Sequence, residues 1–313
     1  MEPRKIIKFG NSSYVVTLPQ EWMDKNNLEK GDVINVCENK GALFITSPKE
    51  LEKSIKKATI NLDDKPLKLF NKELLSYYLK NYKTIEITGE DVYSRLDQIK
   101  IFKEKLSSIE ITKVSKNSIV LSDLSAPSSL KLKNLLCEII EMEEVIFDEL
   151  SKTDAKKTHD LVNELDKNIN KLSFLAYKAI NYNLDTWEHP QELKNAIHNW
   201  RIISTLENIG DISKRIARYL KNETDKHSTY VSVTIANVKD YFKFVTSLVL
   251  DVNNIDESLK LYLDKKQSIL KEIEMLRDKL YDDLNLFLVI SQLLKDIIGD
   301  LDTVILSIID IKN

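Results

Sequence analysis

Cysteine, histidine, glycine and proline are all scarce in this chain, and neither sign of charge prevails. The two cysteines, Cys37 and Cys137, lie far apart in apolar stretches. They are too few for a disulfide framework or a thiolate metal site, so a reducing, cytoplasmic setting is expected. The four histidines, His159, His189, His198 and His227, lack the Cys or acidic companions at ligand spacing that zinc and catalytic sites need. Neither a Gly-rich phosphate loop nor a G-x-S-x-G elbow is present, so nucleotide hydrolysis and serine esterase chemistry lack their minimum parts and no enzymatic activity is expected. Lys and Arg number 46 against 49 Asp and Glu, a net charge of −3. That balance gives no overall reason to seek a polyanion, and any nucleic-acid contact has to come from a local patch. Long apolar runs are missing too. The longest, Leu284 to Leu294, is interrupted by polar residues and far short of a span, and the N-terminus has no signal-peptide core, so no membrane insertion is expected.

The few glycines and prolines are unevenly placed: four of the six glycines and five of the six prolines precede residue 130. The remainder can therefore run in long uninterrupted helices. In residues 4 to 47, β-rich stretches (Arg4–Phe9, Tyr14–Leu18, Val33–Cys37 and Leu43–Thr46) alternate with turn signals at Gly10-Asn11, Lys30-Gly31-Asp32 and Asn39-Lys40-Gly41. Pro19 opens a short helix through Trp22 and Met23. Residues 57 to 122 read as a small α/β unit, with strands Ala58–Leu62, Thr84–Thr88, Ile109–Val114 and Ser118–Leu121 and helices Leu69–Tyr82 and Val92–Leu106. Ser122–Ser129, polar, small and containing Pro127, reads as a linker.

From Leu130 onward helical periodicity dominates. Leu132 to Leu150, Leu161 to Ala179 and Leu193 to Leu220 mark three helices, and three more are expected near Val231–Lys260, Leu261–Leu284 and Leu286–Ile311. The predicted fold is mainly α. It comprises a β module (residues 1–50), a small α/β domain (51–125) and two three-helix bundles (130–222 and 228–313). Tyr177, Tyr182, Trp187, Trp200, Tyr241, Phe242 and Phe244 fall at helical spacing and read as core or helix–helix contacts.

Three helices used twice leave a trace in the residues. Glu207-Asn208-Ile209-Gly210-Asp211 in the third helix is matched by Asp296-Ile297-Ile298-Gly299-Asp300 in the sixth. A helix-interior glycine costs roughly 1 kcal/mol relative to alanine, so both point to close approach of a helix or a ligand. Acids at i and i+4 share a face and repel unless something neutralises them. Arg215, four residues beyond Asp211, can do so in the first copy. Asp300 is followed at that spacing by Val304, so the second copy argues better for a bound cation. A ladder of Glu274, Asp278 and Asp282 reads as a solvated acidic face helped by Lys271, although carboxylates projecting inward from several helices are also how helix bundles hold iron or manganese.

These residues carry a resemblance. The segments LENIGDISKRIARYL and KDIIGDLDTVILSII resemble the E-x-I-G-D signature that closes each half of PhoU proteins, regulators of phosphate uptake, over roughly residues 130 to 313. Some PhoU proteins bind iron or other metal ions through these carboxylates. The resemblance implies a divalent metal held by Glu207, Asp211, Asp296 and Asp300, with Glu274 and Asp278 joining them. It departs from the family at Asn168 and Asn170, which stand where acids are usual and leave Glu164 and Asp166 less well partnered.

The N-terminal order of strand, Gly-containing turn, V-x-L-P opening a helix, then L-x-x-G-D and two strands resembles the AbrB/SpoVT/MazE swapped-hairpin domain. That resemblance implies a homodimer with interleaved chains, and DNA contact through Arg4, Lys5 and Lys8 with Asn11 and Ser12 on phosphates. Residues 1 to 50 hold seven basic and seven acidic residues, so pure dimerisation stands beside DNA binding. Together the two patterns resemble the archaeal type of phosphate-uptake regulator. The expected function is a non-enzymatic regulator of phosphate uptake whose partners are phosphate ABC transporter components or a signalling protein. The alternative is a DNA-binding transcriptional or chromatin-associated regulator. A carboxylate-bundle metalloenzyme is a third reading, weakened by the lack of Glu-x-x-His.

Overall fold

The computed structural model describes residues 3–39, 42–47, 56–152, 155–186, 190–221, 225–251, 255–280 and 283–312. The chain divides into two compact units, Met1–Ile55 and Lys56–Asn313.

The first unit holds two antiparallel hairpins, β1 (Ile7–Phe9) with β2 (Ser13–Val15) and β3 (Asn35–Asn39) with β4 (Ala42–Thr46). Gly10 turns the first at φ +69, a left-handed conformation that glycine adopts without strain. Between the hairpins lies α1 (Gln20–Lys25), entered from Pro19, whose carbonyl accepts from the Trp22 and Met23 amides. The first two strands are shorter than the sequence predicts. Lys40 and Gly41 of the third turn signal lie outside the described residues.

The second unit begins with a four-stranded sheet ordered β5-β6-β8-β7: β5 (Lys57–Asn61), β6 (Thr84–Thr88), β7 (Ile109–Val114) and β8 (Ser118–Asp123). β5 and β6 run parallel, joined by α2 (Leu67–Leu79), and β8 is antiparallel to both of its neighbours. Period-two alternation turns Ile60, Ile85, Ile87, Ile119 and Leu121 into one core, with Phe70 and Leu74 of α2 and Ile99 of α3 (Leu96–Lys103). The helix expected from Val92 begins as a 3-10 turn over Val92–Arg95.

Six long helices follow: α4 (Leu132–Leu150), α5 (Ala155–Thr186), α6 (Pro190–Leu220), α7 (Asp225–Leu250), α8 (Ile255–Lys279) and α9 (Leu284–Lys312). Each three packs on itself, and the two groups meet along α6 against α9 and α4 against α7, where the Phe147 and Phe242 rings lie 5.2 Å apart. One apolar core runs through all six. The Tyr177 and Trp200 rings stack across α5 and α6 at 4.2 Å, a helix–helix contact of the kind their spacing predicts, whereas Trp187 lies outside the described residues. The boundary between α7 and α8 falls after Leu250, not near Lys260 as periodicity predicts. No helix among the described residues is long and apolar enough to cross a membrane.

The predicted linker at Ser122–Ser129 needs correction. Ser122 and Asp123 close β8, and Asp123 is buried in an ion pair with Lys178 of α5, 2.5 Å away, with both side chains 0% exposed. Around it the Asn81 amide donates to the Lys178 carbonyl at 3.0 Å and the Asn181 amide to that of Leu79 at 2.9 Å. Sheet and helices are thereby fastened into one body.

Candidate nucleic-acid interface and carboxylate sites

In the first hairpin Ile7 pairs with Val15, Lys8 with Tyr14 and Phe9 with Ser13. Cross-strand partners share a face, so Ile7, Phe9 and Val15 make one apolar face while Lys8 and Tyr14 lie on the other. Both faces are open: Ile7 is 52% exposed, Phe9 and Tyr14 each 69%. Ile6, Val16, Val33, Val36 and Leu43 are exposed as well, and Leu28 is the one buried hydrophobic among the described residues of this unit. Among the described residues, one buried leucine contributes little against the entropy of ordering the chain. Arg4, Lys5, Lys8, Asn11 and Ser12 are all exposed, the last two in the β1–β2 turn.

The six candidate metal ligands do not converge. Glu207 and Asp211 lie on α6, Asp296 and Asp300 on α9, and the two pairs are tied by the Asn208 amide, which donates to Asp300 at 2.7 Å. Asp296 accepts from Gln292 of its own helix at 2.7 Å. Glu274 sits 3.7 Å from Lys295, and Asp278 is exposed beside Met275 and Leu288 on an open groove wall. Asp282 lies outside the described residues. Burial, with the charge of Asp296, pushes the Asp300 carboxyl up against the Asn208 hydrogen bond that pulls it down. No three His, Cys, Asp or Glu among the described residues stand close enough together to hold a metal ion.

The first repeat instead gathers a set that the spacing did not reveal. Glu143 of α4 is 0% exposed, and neither carboxylate oxygen has a hydrogen-bond partner among the described residues. Burial first, then the charges of Asp166 and Asp211, holds its carboxyl well above the usual range. Gly210 is what admits it: a Cβ there would lie 2.8 Å from Glu143 Oε1. A Cβ at Gly299, its counterpart in the second repeat, would meet nothing within 4 Å, so close approach explains one glycine and not the other. Asp211 is neutralised by Lys214 at 2.6 Å, and not by Arg215, and the same ammonium reaches Asp166 of α5 at 2.7 Å. Glu207 is raised by burial and by Asp211 and Asp166, while the Tyr177 hydroxyl pulls it down. The donors are oxygens suited to a hard divalent cation, but an ammonium stands between two of them. As arranged, these residues do not fit a metal.

The second half carries a different polar cluster, in which Tyr262 and Lys266 both engage Asp302 and Tyr241 lies beside Tyr262. His159 bonds to Asp160 and Asn163, and His198 faces Asp310 at 3.7 Å. His189 lies outside the described residues.

No curated protein and no solved structure matches the chain. Residues 7–53, almost the whole of the first unit, match the family model described as antidote-toxin recognition MazE, bacterial antitoxin.

Proposed function

We propose that this protein is a non-enzymatic, DNA-binding regulator that works as a homodimer. The first units of two copies interleave so that the Ile7, Phe9 and Val15 faces cover one another, which also brings Arg4, Lys5 and Lys8 of both chains to one surface. The observation that carries this reading is the open apolar face of a hairpin unit that buries a single leucine among its described residues. Burying a large side chain contributes roughly 1.5–3 kcal/mol, so several per chain suffice to hold a small dimer that one copy cannot stabilise. The MazE match over the same residues supports the reading. With Asn11 and Ser12 in the turn, the paired cations supply phosphate contacts. The test is duplex DNA binding by the full chain across a salt series, with Lys5→Ala and Lys8→Ala. Binding with a steep salt dependence that both changes weaken is expected, and binding indifferent to both rules DNA contact through this strand out.

A second reading has its own support. The two I-G-D segments lie on α6 and α9, which pack together and are joined by Asn208 and Asp300. This pairing favours the PhoU-like assignment of the helical region, and with it a role in phosphate uptake through a transporter or signalling partner. Altered phosphate uptake in cells whose copy carries Asn208→Ala/Asp300→Ala is the result that favours it, and unchanged uptake with the chain deleted removes it.

A further inference from the structure

Gly299 is the glycine that packing within the chain does not explain. It is exposed in the interior of α9, where glycine lowers helix stability, and a Cβ there would meet nothing within 4 Å. The residues in line with it are unusual for a solvated face. Leu288, Lys295, Gly299 and Leu306 follow one another at intervals of 7, 4 and 7 residues, which puts them on one line of the helix. Leu288 is 61% exposed and Leu306 52%. At the Leu288 end, Met275 of α8 and Leu284 are open as well and border a groove of about 930 Å³. At the Leu306 end, His198 faces Asp310 at 3.7 Å, which brings the stretch of α6 bearing the exposed Leu193 and Ile197 beside it. Exposed apolar residues gathered in this way, rather than scattered singly, mark an interaction surface. Between the two apolar ends lie acids without a counter-charge. Asp296 and Asp300 flank Gly299 and accept from neutral amides, those of Gln292 and Asn208, at 2.7 Å each. Lys295, next to Asp296 in sequence, faces Glu274 of α8 at 3.7 Å instead.

We propose that the exposed face of α9 is a docking surface for an amphipathic helix of a partner protein, apolar at its two ends and basic at its middle. The partner helix crosses at Gly299, where the missing side chain lets two backbones approach closely. Its central cation meets Asp296 and Asp300, and its ends cover Leu288 with Met275 and Leu306 with Ile197. Leu288 and Leu306 are 18 residues apart, about 27 Å along the helix, so a partner segment of about five turns reaches both. The apolar anchors supply the affinity, and the two carboxylates select the sign of the charge between them. That sign argues against a second copy of this chain as the occupant, since two such faces laid together about Gly299 would set acid against acid. The inference rests on neither reading of function given above.

The experiment is selection of a displayed library of helices of about 20 residues on the full chain, with the selected peptides then measured by fluorescence anisotropy. Selected helices should carry large apolar residues at both ends and Lys or Arg at the middle. Gly299→Leu fills the crossing point, Leu306→Glu charges one apolar end, and Asp296→Asn/Asp300→Asn removes the counter-charge. Each should weaken binding about tenfold or more, with the helical signal in circular dichroism unchanged. Exchanging the peptide's central cation for Glu should abolish binding to wild type. A selection that enriches no helix, or helices neutral or acidic at the middle, would overturn the proposal. So would helices whose binding is indifferent to both Gly299→Leu and Leu306→Glu. Wild-type chain that assembles beyond a dimer in light scattering, and stops doing so with Gly299→Leu, would put a second copy on this face and overturn it too.

Discussion

Replacing Lys178 by methionine tests the join between sheet and helices most sharply. The ammonium is wholly buried, bonds to Asp123 at 2.5 Å and to Ser125 Oγ at 2.9 Å, and lies 4.0 Å from the centre of the Tyr78 ring. Breaking a buried pair on one side typically costs about 3–5 kcal/mol, because the remaining charge is left uncompensated. Here Asp123 keeps the Ser108 hydroxyl at 2.8 Å and the Ser125 amide at 3.0 Å and hydroxyl at 2.9 Å, so the low end, about 3 kcal/mol, is expected. Asp123→Asn strands the ammonium with fewer substitutes and should cost more. The double change Asp123→Asn/Lys178→Met should recover over half of the summed loss, since neither charge remains. Acid should act through the same pair. Burial alone would raise the Asp123 carboxyl, but the hydrogen bond and charge of Lys178 and the Ser125 contacts take it below its ordinary 3.8. A depressed carboxyl contributes stability that is complete above its unfolded value and is lost as pH falls through the folded one. Wild type should therefore lose stability below about pH 4 more steeply than Asp123→Asn does. Urea unfolding followed by circular dichroism measures both effects. A Lys178→Met cost under about 1 kcal/mol would refute the reasoning, because a fully desolvated charge pair cannot be removed on one side that cheaply.

The two repeat glycines should behave oppositely. Gly210→Ala drives a methyl against Glu143 and should destabilise by about 1–3 kcal/mol, whereas Gly299→Ala meets open space and should stabilise by about 0.5–1 kcal/mol in thermal melts. Phe9→Glu puts a charge on the open apolar face of the first hairpin and should halve the mass in solution, leaving the helical signal of the second unit unchanged. Lys5→Ala and Lys8→Ala should each lower the salt slope of DNA binding by about one per chain, measured by fluorescence anisotropy.

Much of the fold is legible in the residues because local pattern and burial agree. Thr84–Thr88 and Ile109–Val114 are strands at the predicted bounds, since alternation in a half-buried sheet is a two-residue signal that needs no distant partner. The α7–α8 boundary escapes periodicity because apolar spacing runs on beyond Leu250 with no glycine or proline to break it. Ser122 and Asp123 read as linker because nothing near them in sequence announces Lys178, which lies 55 residues from Asp123. The same holds for Lys214: i+3 and i+4 partners of Asp211 are equally available on a helix, and Asp166 on another helix decides between them. Glu143 does leave a signal. Leu136, Ile139, Ile140, Ile146, Phe147 and Leu150 define the buried stripe of α4, and position 143 falls within it.

The proposed interleaving of two first units makes the chain a dimer in solution. Light scattering of the full chain at micromolar concentration tests this directly. Twice the 36.2 kDa chain mass is predicted, falling to one chain for Phe9→Glu. A wild-type chain that scatters as a folded monomer, with its first hairpin protected from proteolysis, would contradict it.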